Sequence, residues 1–512
     1  MATTDPTSDE AHTTLRWRWK GVLPVVAILA LVGGVVLRFV ADSPLWLDEA
    51  LSVHVADGEV ALSDALRQDG HPALYYLLLG WWIDLFGSGA GATRALSGIF
   101  SAATVPFIWI LARPHGRTAA FSATVLALTS PFLLRYGTET RMYALVSFLV
   151  AVGWWAIERA RRQPTLGHLA LVAAVSAALV HTHYWTFFVL AGALAVVAEA
   201  ARRSPAEARR ALIRTGVAIT VGAATLLVWI GVFIDQLAHT GTPWAKTARP
   251  TEVLIETLQA IGGNNRFEGE TLGAILLALV LIGTLATGAA SGRRLELSFS
   301  LSGPAHTAAA VLVATLSVGA LAALLTGGAF EARYAAVVIP FVLVLAGRGI
   351  AVLPDPTRTL ALILVAALGL AVGVDEARRT RSQGEEVAIA ITAGVQPADL
   401  VVFCPDQIGP ATTHYLESSV SSVAYPSGDG FTVDWRDYVD RIEATPADEF
   451  AQAQSAAAGT SDIWFVGSTG YLGFESRCAE MAGAFASLRT SHTTVANSDV
   501  FESMFLIRFE AR

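Results

Sequence analysis

The sequence predicts a polytopic α-helical membrane protein of about eleven spanning helices, followed by a small α/β domain, and three observations carry that reading. Of 512 residues, 54% are hydrophobic and only 15% charged, where soluble chains carry about 25% charged residues. Apolar runs recur from Gly21 to about Val374, many near the roughly 20 residues that cross a hydrocarbon core of about 30 Å. From about Asp375 the apolar runs become short and strand-like. A net charge of −8, with no basic stripe interleaved with aromatics, excludes a nucleic-acid binder. Two cysteines are too few for a disulfide-dense scaffold or a multi-cysteine metal cluster.

Residues 1–20 are expected to be a cytoplasmic N-terminus. Met1 to Thr14 are polar and small, with too little apolar surface to order them, and Arg16, Arg18 and Lys20 precede the first apolar run, Gly21 to Val40. A cleaved signal peptide is the alternative, but the run is long and lacks a small-residue cleavage site. Arg-rich connectors then follow every second span, as cytoplasmic loops should: Arg113 and Arg117; Arg159, Arg161 and Arg162; Arg202, Arg203, Arg209 and Arg210; Arg293 and Arg294; Arg348 and Arg358. The connectors around Tyr136 to Arg141, His181 to Tyr184, Asp235 to Thr271 and Gly327 to Tyr334 therefore face outward. Pro72 to Phe86 is apolar and aromatic but only about 15 residues long, which suits an interfacial or re-entrant helix. Were it to cross, every later connector would invert, so it is placed within a first outer loop, residues 41–91. The transmembrane domain is then 21–375, its last span running from about Thr359 to Val374, and residues 376–512 lie outside.

In that last region Asp399 to Cys404, Asp462 to Val466 and Ser503 to Ile507 read as strands between Ala-rich helical stretches, a pattern of a small α/β domain. Cys404 and Cys478 both fall there. An oxidising compartment permits a disulfide between them, and two separate thiols in a packed core are an equal alternative.

The outward features concentrate the chemistry. The first outer loop holds Ser43-Pro-Leu-Trp-Leu-Asp48-Glu49-Ala-Leu-Ser52; neighbours on a helix diverge by about 100°, so one carboxylate is expected to enter a cavity while the other holds the loop. A solvated acidic pair at a helix start is the plainer reading of that pair taken alone. Asp69-Gly-His71-Pro-Ala-Leu-Tyr75-Tyr76 opens the interfacial helix, Arg94 starts the second span, and Arg135-Tyr136-Gly-Thr-Glu139-Thr-Arg141-Met-Tyr143 forms the next outer loop. His181-Thr-His183-Tyr184-Trp185 and Glu331-Ala-Arg333-Tyr334 follow on the same side. Charges at membrane depth are costly and mark functional cavities, although any one of Arg94, Arg135 and Arg333 taken alone can snorkel to headgroups. His181 and His183, two residues apart, do not share a helical face and so do not make a two-histidine metal site. Tyr75, Tyr76, Trp81, Trp82, Tyr184 and Trp185 read as an aromatic belt rather than sugar-stacking residues.

Together, the Trp-Leu-Asp-Glu loop, the His-Pro-x-Leu-Tyr-Tyr helix, the Tyr-x-x-Glu-x-Arg-Met-Tyr-Ala-Leu turn, the Thr-His-Tyr-Trp span end and the late Arg-Tyr resemble the GT-C membrane glycosyltransferases. Within them the likeness is to the protein O-mannosyltransferase and aminoarabinose-transferase group, and it runs in order from about Trp46 to Gly349. One departure is Ala73, where a second proline is frequent after His-Pro. The resemblance implies a polyprenyl-phosphate-linked monosaccharide as donor, a hydroxyl on a cell-envelope glycan, lipid or protein as acceptor, inversion at the anomeric carbon, and a bacterial plasma-membrane enzyme, a hexosyl- or pentosyltransferase, working on the outer face. It implies that Asp48, with Glu49 beside it, supplies the catalytic base. A leaving lipid phosphate needs fixed cations, and guanidinium groups match phosphate oxygens; Arg94, Arg141 and Arg333 are the candidates, with His71 binding either the donor phosphate or the acceptor. Glu139, Tyr136, His183 and Tyr334 are the candidates for substrate contact, Glu139 either orienting Arg141 or touching the sugar. A divalent cation, Mg2+ or Mn2+, on Asp48, Glu139 and His71 is left open, and no metal ligand is assigned. A transporter of lipid-linked sugars is the competing class, but it places polar residues near the bilayer midplane and often carries internal repeats, and the sequence has neither pattern.

Overall fold

The structure is a computed structural model describing residues 7–58, 61–241, 248–263, 266–290, 294–299, 303–417, 419–469, 471, 473–474 and 476–512, with side chains from residue 22 onward. Its helices in order are α1 (Thr7–Val36), α2 (Leu47–Asp57), α3 (Leu62–Asp69), α4 (Leu74–Phe86), α5 (Ala90–Ala112), α6 (Arg117–Thr129), α7 (Pro131–Gly137), α8 (Tyr143–Arg162), α9 (Leu166–Val180), α10 (Thr186–Arg203), α11 (Ala206–Ala224), α12 (Ile230–His239), α13 (Pro250–Gly262), α14 (Phe267–Leu285), α15 (Pro304–Thr326), α16 (Ile339–Val352) and α17 (Thr357–Arg378). A first correction is at the N-terminus, where α1 starts at Thr7, inside the stretch expected to be disordered. Residues 1–6, and Arg293 of the Arg293 and Arg294 connector, lie outside the described residues, as do the side chains of Arg16, Arg18 and Lys20.

Among the described residues, six helices are long and apolar enough to cross a membrane, or seven if α6 and α7, which meet at 44°, make one broken span. Val22–Val36, α4, α9 and α16 are shorter apolar helices. The α6–α7 break has a clear physical origin. Pro131 cannot donate to the preceding turn, Ser130 accepts the Leu133 N–H at 3.4 Å as an N-cap, and the carbonyls left free at the end of α6 are taken by Arg38. That side chain is wholly buried and donates to the oxygens of Ala127 at 2.7 Å and Leu128 at 3.0 Å and to Ser101 Oγ at 2.8 Å. Gly34 lets α1 approach this break, since a β-carbon there would stand 2.3 Å from the Leu128 oxygen.

The C-terminal region forms a five-stranded sheet in the order β2-β1-β3-β5-β4, built from β1 (Leu400–Cys404), β2 (Ser421–Ala424), β3 (Ile463–Gly467), β4 (Thr490–Val495) and β5 (Phe505–Glu510). β1 runs parallel to β2 and β3, and β5 antiparallel to β3 and β4. Both faces are covered, by α18 (Gly384–Thr392), α19 (Gly409–Thr413), α20 (Tyr438–Ala444), α21 (Ala447–Ala458) and α22 (Arg477–Leu488), which is why β1 and β3 are continuously apolar. The three expected strands are β1, β3 and β5. β2 and β4 are edge strands, and β4, Thr490-Ser-His-Thr-Thr-Val495, is exposed along most of its length, so neither carries an apolar run. Cys404 and Cys478 are joined in a disulfide that ties the end of β1 to α22.

The sheet region and the helical region share a core. Trp46, Leu47 and Leu51 of the 41–91 loop are buried in one hydrophobic cluster with Val402, Phe465 and Phe485 of the C-terminal region. Tyr75 and Tyr76 are fully buried and Trp185 nearly so, which corrects the aromatic-belt expectation for those three rings; Trp81 is exposed by 60%.

Candidate functional site

The start of α2 is positioned by the C-terminal region. Trp46 gives no side-chain cap; instead the Leu47 N–H donates to Glu502 Oε1 at 3.1 Å, and the Tyr471 hydroxyl donates to the same oxygen at 2.9 Å. The Tyr415 hydroxyl accepts the Leu45 N–H at 2.9 Å, and the Phe501 ring packs edge-on against Trp46. Asp48 and Glu49 then fall in the first turn, where the helix N-terminus favours negative charge, and they point in different directions.

Glu49 is completely buried. Arg94 grips it with two bonds, Nε to Oε1 at 2.8 Å and Nη2 to Oε2 at 2.6 Å, and the Thr140 N–H donates at 2.9 Å. Arg381 lies 3.8 Å away. Burial alone would raise this carboxyl's pKa, but the Arg94 guanidinium, with Arg381 and Thr140, holds it below the ordinary range. The rest of the Arg94 fork donates to the carbonyls of Ser43 and Pro44 at 2.6 and 3.0 Å. These bonds leave Arg94 little capacity for a phosphate, and Glu49 none for a substrate; both serve to lock the loop to α5.

Asp48 is turned the other way and is 15% exposed. Its Oδ2 lies 2.8 Å from Arg333 Nη1 and 3.7 Å from Arg141 Nε. Arg141 is further fixed by Ser52 Oγ at 3.1 Å and the Tyr76 hydroxyl at 3.3 Å, and its Nη2 sits 3.4 Å from His71 Nε2. His71 is oriented through Nδ1, 3.0 Å from Asp69 Oδ2, which also accepts from Tyr76. His183 accepts the Trp185 N–H on Nδ1, and its ring lies among those of His71, Tyr143 and Tyr334 at 5.8, 5.7 and 5.1 Å. Burial, then the charges of His71, Arg141 and Arg333, push His183 well below the usual histidine range. Tyr334 is stacked on Trp185 at 5.5 Å, and Tyr136 packs on Tyr143 at 5.1 Å. Around Asp48, three buried donors have no hydrogen-bond acceptor: Arg141 Nε, Arg333 Nε and the Tyr143 hydroxyl.

Glu139 is not the partner of Arg141. It is buried and paired with Arg135 at 3.0 Å, which also reaches Glu376 at 3.3 Å. The trio suggested for a divalent cation is not assembled either. Among the described residues no three His, Cys, Asp or Glu side chains converge as metal ligands, and Asp48 faces two guanidinium groups where a cation needs acceptors. The sequence reading missed Arg381, which donates to Thr138 through both terminal nitrogens, at 2.8 and 2.9 Å, and Glu502. Arg381 carries a positional signal, a basic residue just beyond the last apolar run; Glu502, in a polar stretch far along the chain, carries none.

Glu502 is wholly buried, and burial pushes its carboxyl up to about 7 against the Ser382, Tyr471 and Leu47 hydrogen bonds. A carboxyl that holds its proton more tightly folded than unfolded costs stability as pH rises from about 4.5 through 7. Glu502→Gln, which keeps an acceptor for Leu47 without the charge, is expected to flatten that fall, measured as thermal unfolding at pH 5 and pH 8.

No protein-family model matches the sequence, and no curated protein matches it. The structure does have counterparts. It is similar to ArnT from Cupriavidus metallidurans in the apo state, with a TM-score of 0.61 at 13% identity over 97% of this chain and 98% of that one. The ArnT structure bound to undecaprenyl phosphate gives 0.60 at 12% identity over 95% and 98%. The arabinofuranosyltransferase AftD from Mycobacteria gives 0.53 at 15% identity over 96% of this chain and 40% of that one, and the oligosaccharyltransferase from Archaeoglobus fulgidus gives 0.52 at 10% over 96% and 74%. The chain has the fold that these structures share. It extends over nearly the whole chain, so the C-terminal sheet region falls within the likeness to ArnT as well as the helical bundle.

Proposed function

We propose that this GT-C chain is an inverting glycosyltransferase that moves a monosaccharide from a polyprenyl-phosphate donor to a hydroxyl acceptor on the outer face of the membrane. The observation that carries the proposal is Asp48, held at the rim of the bundle against Arg141 and Arg333, with three unanswered donors around it. That the ArnT counterpart is described bound to undecaprenyl phosphate supports the same class of donor here.

In this reading the donor phosphate displaces Arg333 from Asp48 and takes up the guanidinium groups of Arg333 and Arg141, with His71 bordering the latter. Two fixed cations match the charge that grows on the phosphate as the glycosidic bond breaks. The freed Asp48 carboxylate accepts the proton of the acceptor hydroxyl as its oxygen bonds to the anomeric carbon. Attack opposite to the leaving phosphate inverts that carbon, and polyprenyl phosphate departs. Tyr136, His183 and Tyr334 line the sugar side, Glu139 with Arg135 closes the floor, and Glu49, Arg94, Arg381 and Glu502 hold the loop that presents Asp48. Arg141→Ala is expected to raise the KM for the lipid donor at least tenfold, about 1.4 kcal/mol, and to change the KM for the acceptor far less; unchanged donor kinetics would remove Arg141 from the phosphate site.

The accompanying topology has eleven spans: α1, α5, the broken α6–α7 pair, α8, α9, α10, α11, α14, α15, α16 and α17. The N-terminus is then cytoplasmic and residues 376–512 are outside. A reporter active only outside, fused after Arg512, is expected to be active, and a silent fusion would overturn this arrangement.

A further inference from the structure

A second site stands at the opposite end of the bundle. α8 has 20 residues, about 30 Å of helix; its first residue, Tyr143, belongs to the Asp48 surroundings, and its last turn carries Arg159, Arg161 and Arg162. Two cavities meet at that last turn. The first, of about 250 Å³, is an apolar shaft between α8, α10, α11 and α15, walled by Val150, Ile157, Leu190, Val197, Leu212 and Val311. The second, of about 240 Å³, is basic and aromatic, walled by Trp155, Arg159, Arg162 and His115. Trp154, Glu158 and Arg161 line both, so the shaft opens into the basic mouth.

The charges there do not cancel. Glu158 is shared by Arg161 at 2.5 Å and Arg162 at 3.5 Å, and the Arg159 guanidinium lies over the Trp155 ring at 5.6 Å. Three cations stand beside one carboxylate in the last turn of a helix long enough to cross a bilayer, with an apolar cavity adjoining them. A basic pocket between helices at the membrane surface is the arrangement that selects anionic headgroups, and the adjoining shaft excludes a free phosphate as the whole occupant.

We propose that these joined cavities hold one anionic phospholipid of the inner leaflet, its phosphate among Arg159, Arg161 and Arg162 and one acyl chain in the shaft. The inference rests on the topology proposed above for the choice of leaflet, and not on the role of Asp48.

The test uses the full chain in vesicles of equal phosphatidylglycerol and phosphatidylcholine, followed by native mass spectrometry of the retained lipid. The wild type is expected to keep phosphatidylglycerol over phosphatidylcholine at least tenfold. R159Q/R162Q, which leaves Arg161 to neutralise Glu158, should bring the preference below twofold, and A193F, which fills the shaft, should remove the retained lipid. No preference in the wild type would overturn the proposal, as would a preference that survives R159Q/R162Q, or a retained polyprenyl phosphate in place of the phospholipid. D48N should keep the preference in full, so the loss of the catalytic reading and the loss of this one are distinguishable.

Discussion

Asp48→Asn is expected to lower the rate of sugar transfer by roughly 10²–10⁴-fold, the range that a positioned general base contributes, while the protein still inserts and folds. Asparagine has nearly the shape of aspartate but cannot accept the hydroxyl proton. Asp48 is partly open to solvent and pairs with arginines that have other support: Ser52 and Tyr76 hold Arg141, and the Arg333 guanidinium lies 6.0 Å from the Tyr334 ring centroid. The loss should therefore fall on kcat and leave the unfolding temperature close to that of the wild type. Transfer from a labelled polyprenyl-phosphate sugar in vesicles, measured beside thermal unfolding of the same preparation, separates the two effects.

The neighbouring residue should behave in the opposite way. Glu49→Ala is expected to destabilise the fold by about 3–5 kcal/mol, the cost of removing one partner of a buried ion pair. It strands Arg94 and Arg381 without their shared carboxylate and releases the Thr140 N–H. The loop would keep its attachments to Tyr415 and Glu502, and activity should fall only because little folded protein remains. A lowered unfolding temperature with near-normal transfer by the surviving folded fraction is the expected outcome; a stable but inactive E49A would instead place Glu49 in the chemistry.

That contrast marks where the sequence was legible. Adjacent carboxylates at a helix start must diverge, so the different directions of Asp48 and Glu49 followed from spacing, and Asp48, His71, Arg141, His183, Arg333 and Tyr334 do gather at one end of the bundle. What spacing could not reveal was which arginine answers which carboxylate. Arg94, Arg141 and Arg333 look alike in sequence, but Arg94 is spent on Glu49 and two carbonyls, a fact that depends on where α5 passes the loop. Glu139 faced the same difficulty, pairing with Arg135 one turn earlier rather than with Arg141. Tyr75 and Tyr76 read as belt residues because aromatic side chains at a membrane surface usually are, and the packing of α4 on the site buried them. The contribution of residues 376–512 was invisible, since Glu502 and Phe501 touch the 41–91 loop across more than 400 positions of chain. By length and composition six or seven of the described helices can cross a membrane, because Val22–Val36, α9 and α16 are short apolar stretches and α6 is broken from α7 at Pro131.

The most direct measurement is an experimental structure of the full chain with a polyprenyl phosphate bound. The phosphate oxygens should lie within about 3 Å of the Arg141 and Arg333 guanidinium groups, with Asp48 released from Arg333 and facing the space where an acceptor hydroxyl would enter. A phosphate seated elsewhere, with the Asp48–Arg333 pair still closed, would contradict the account.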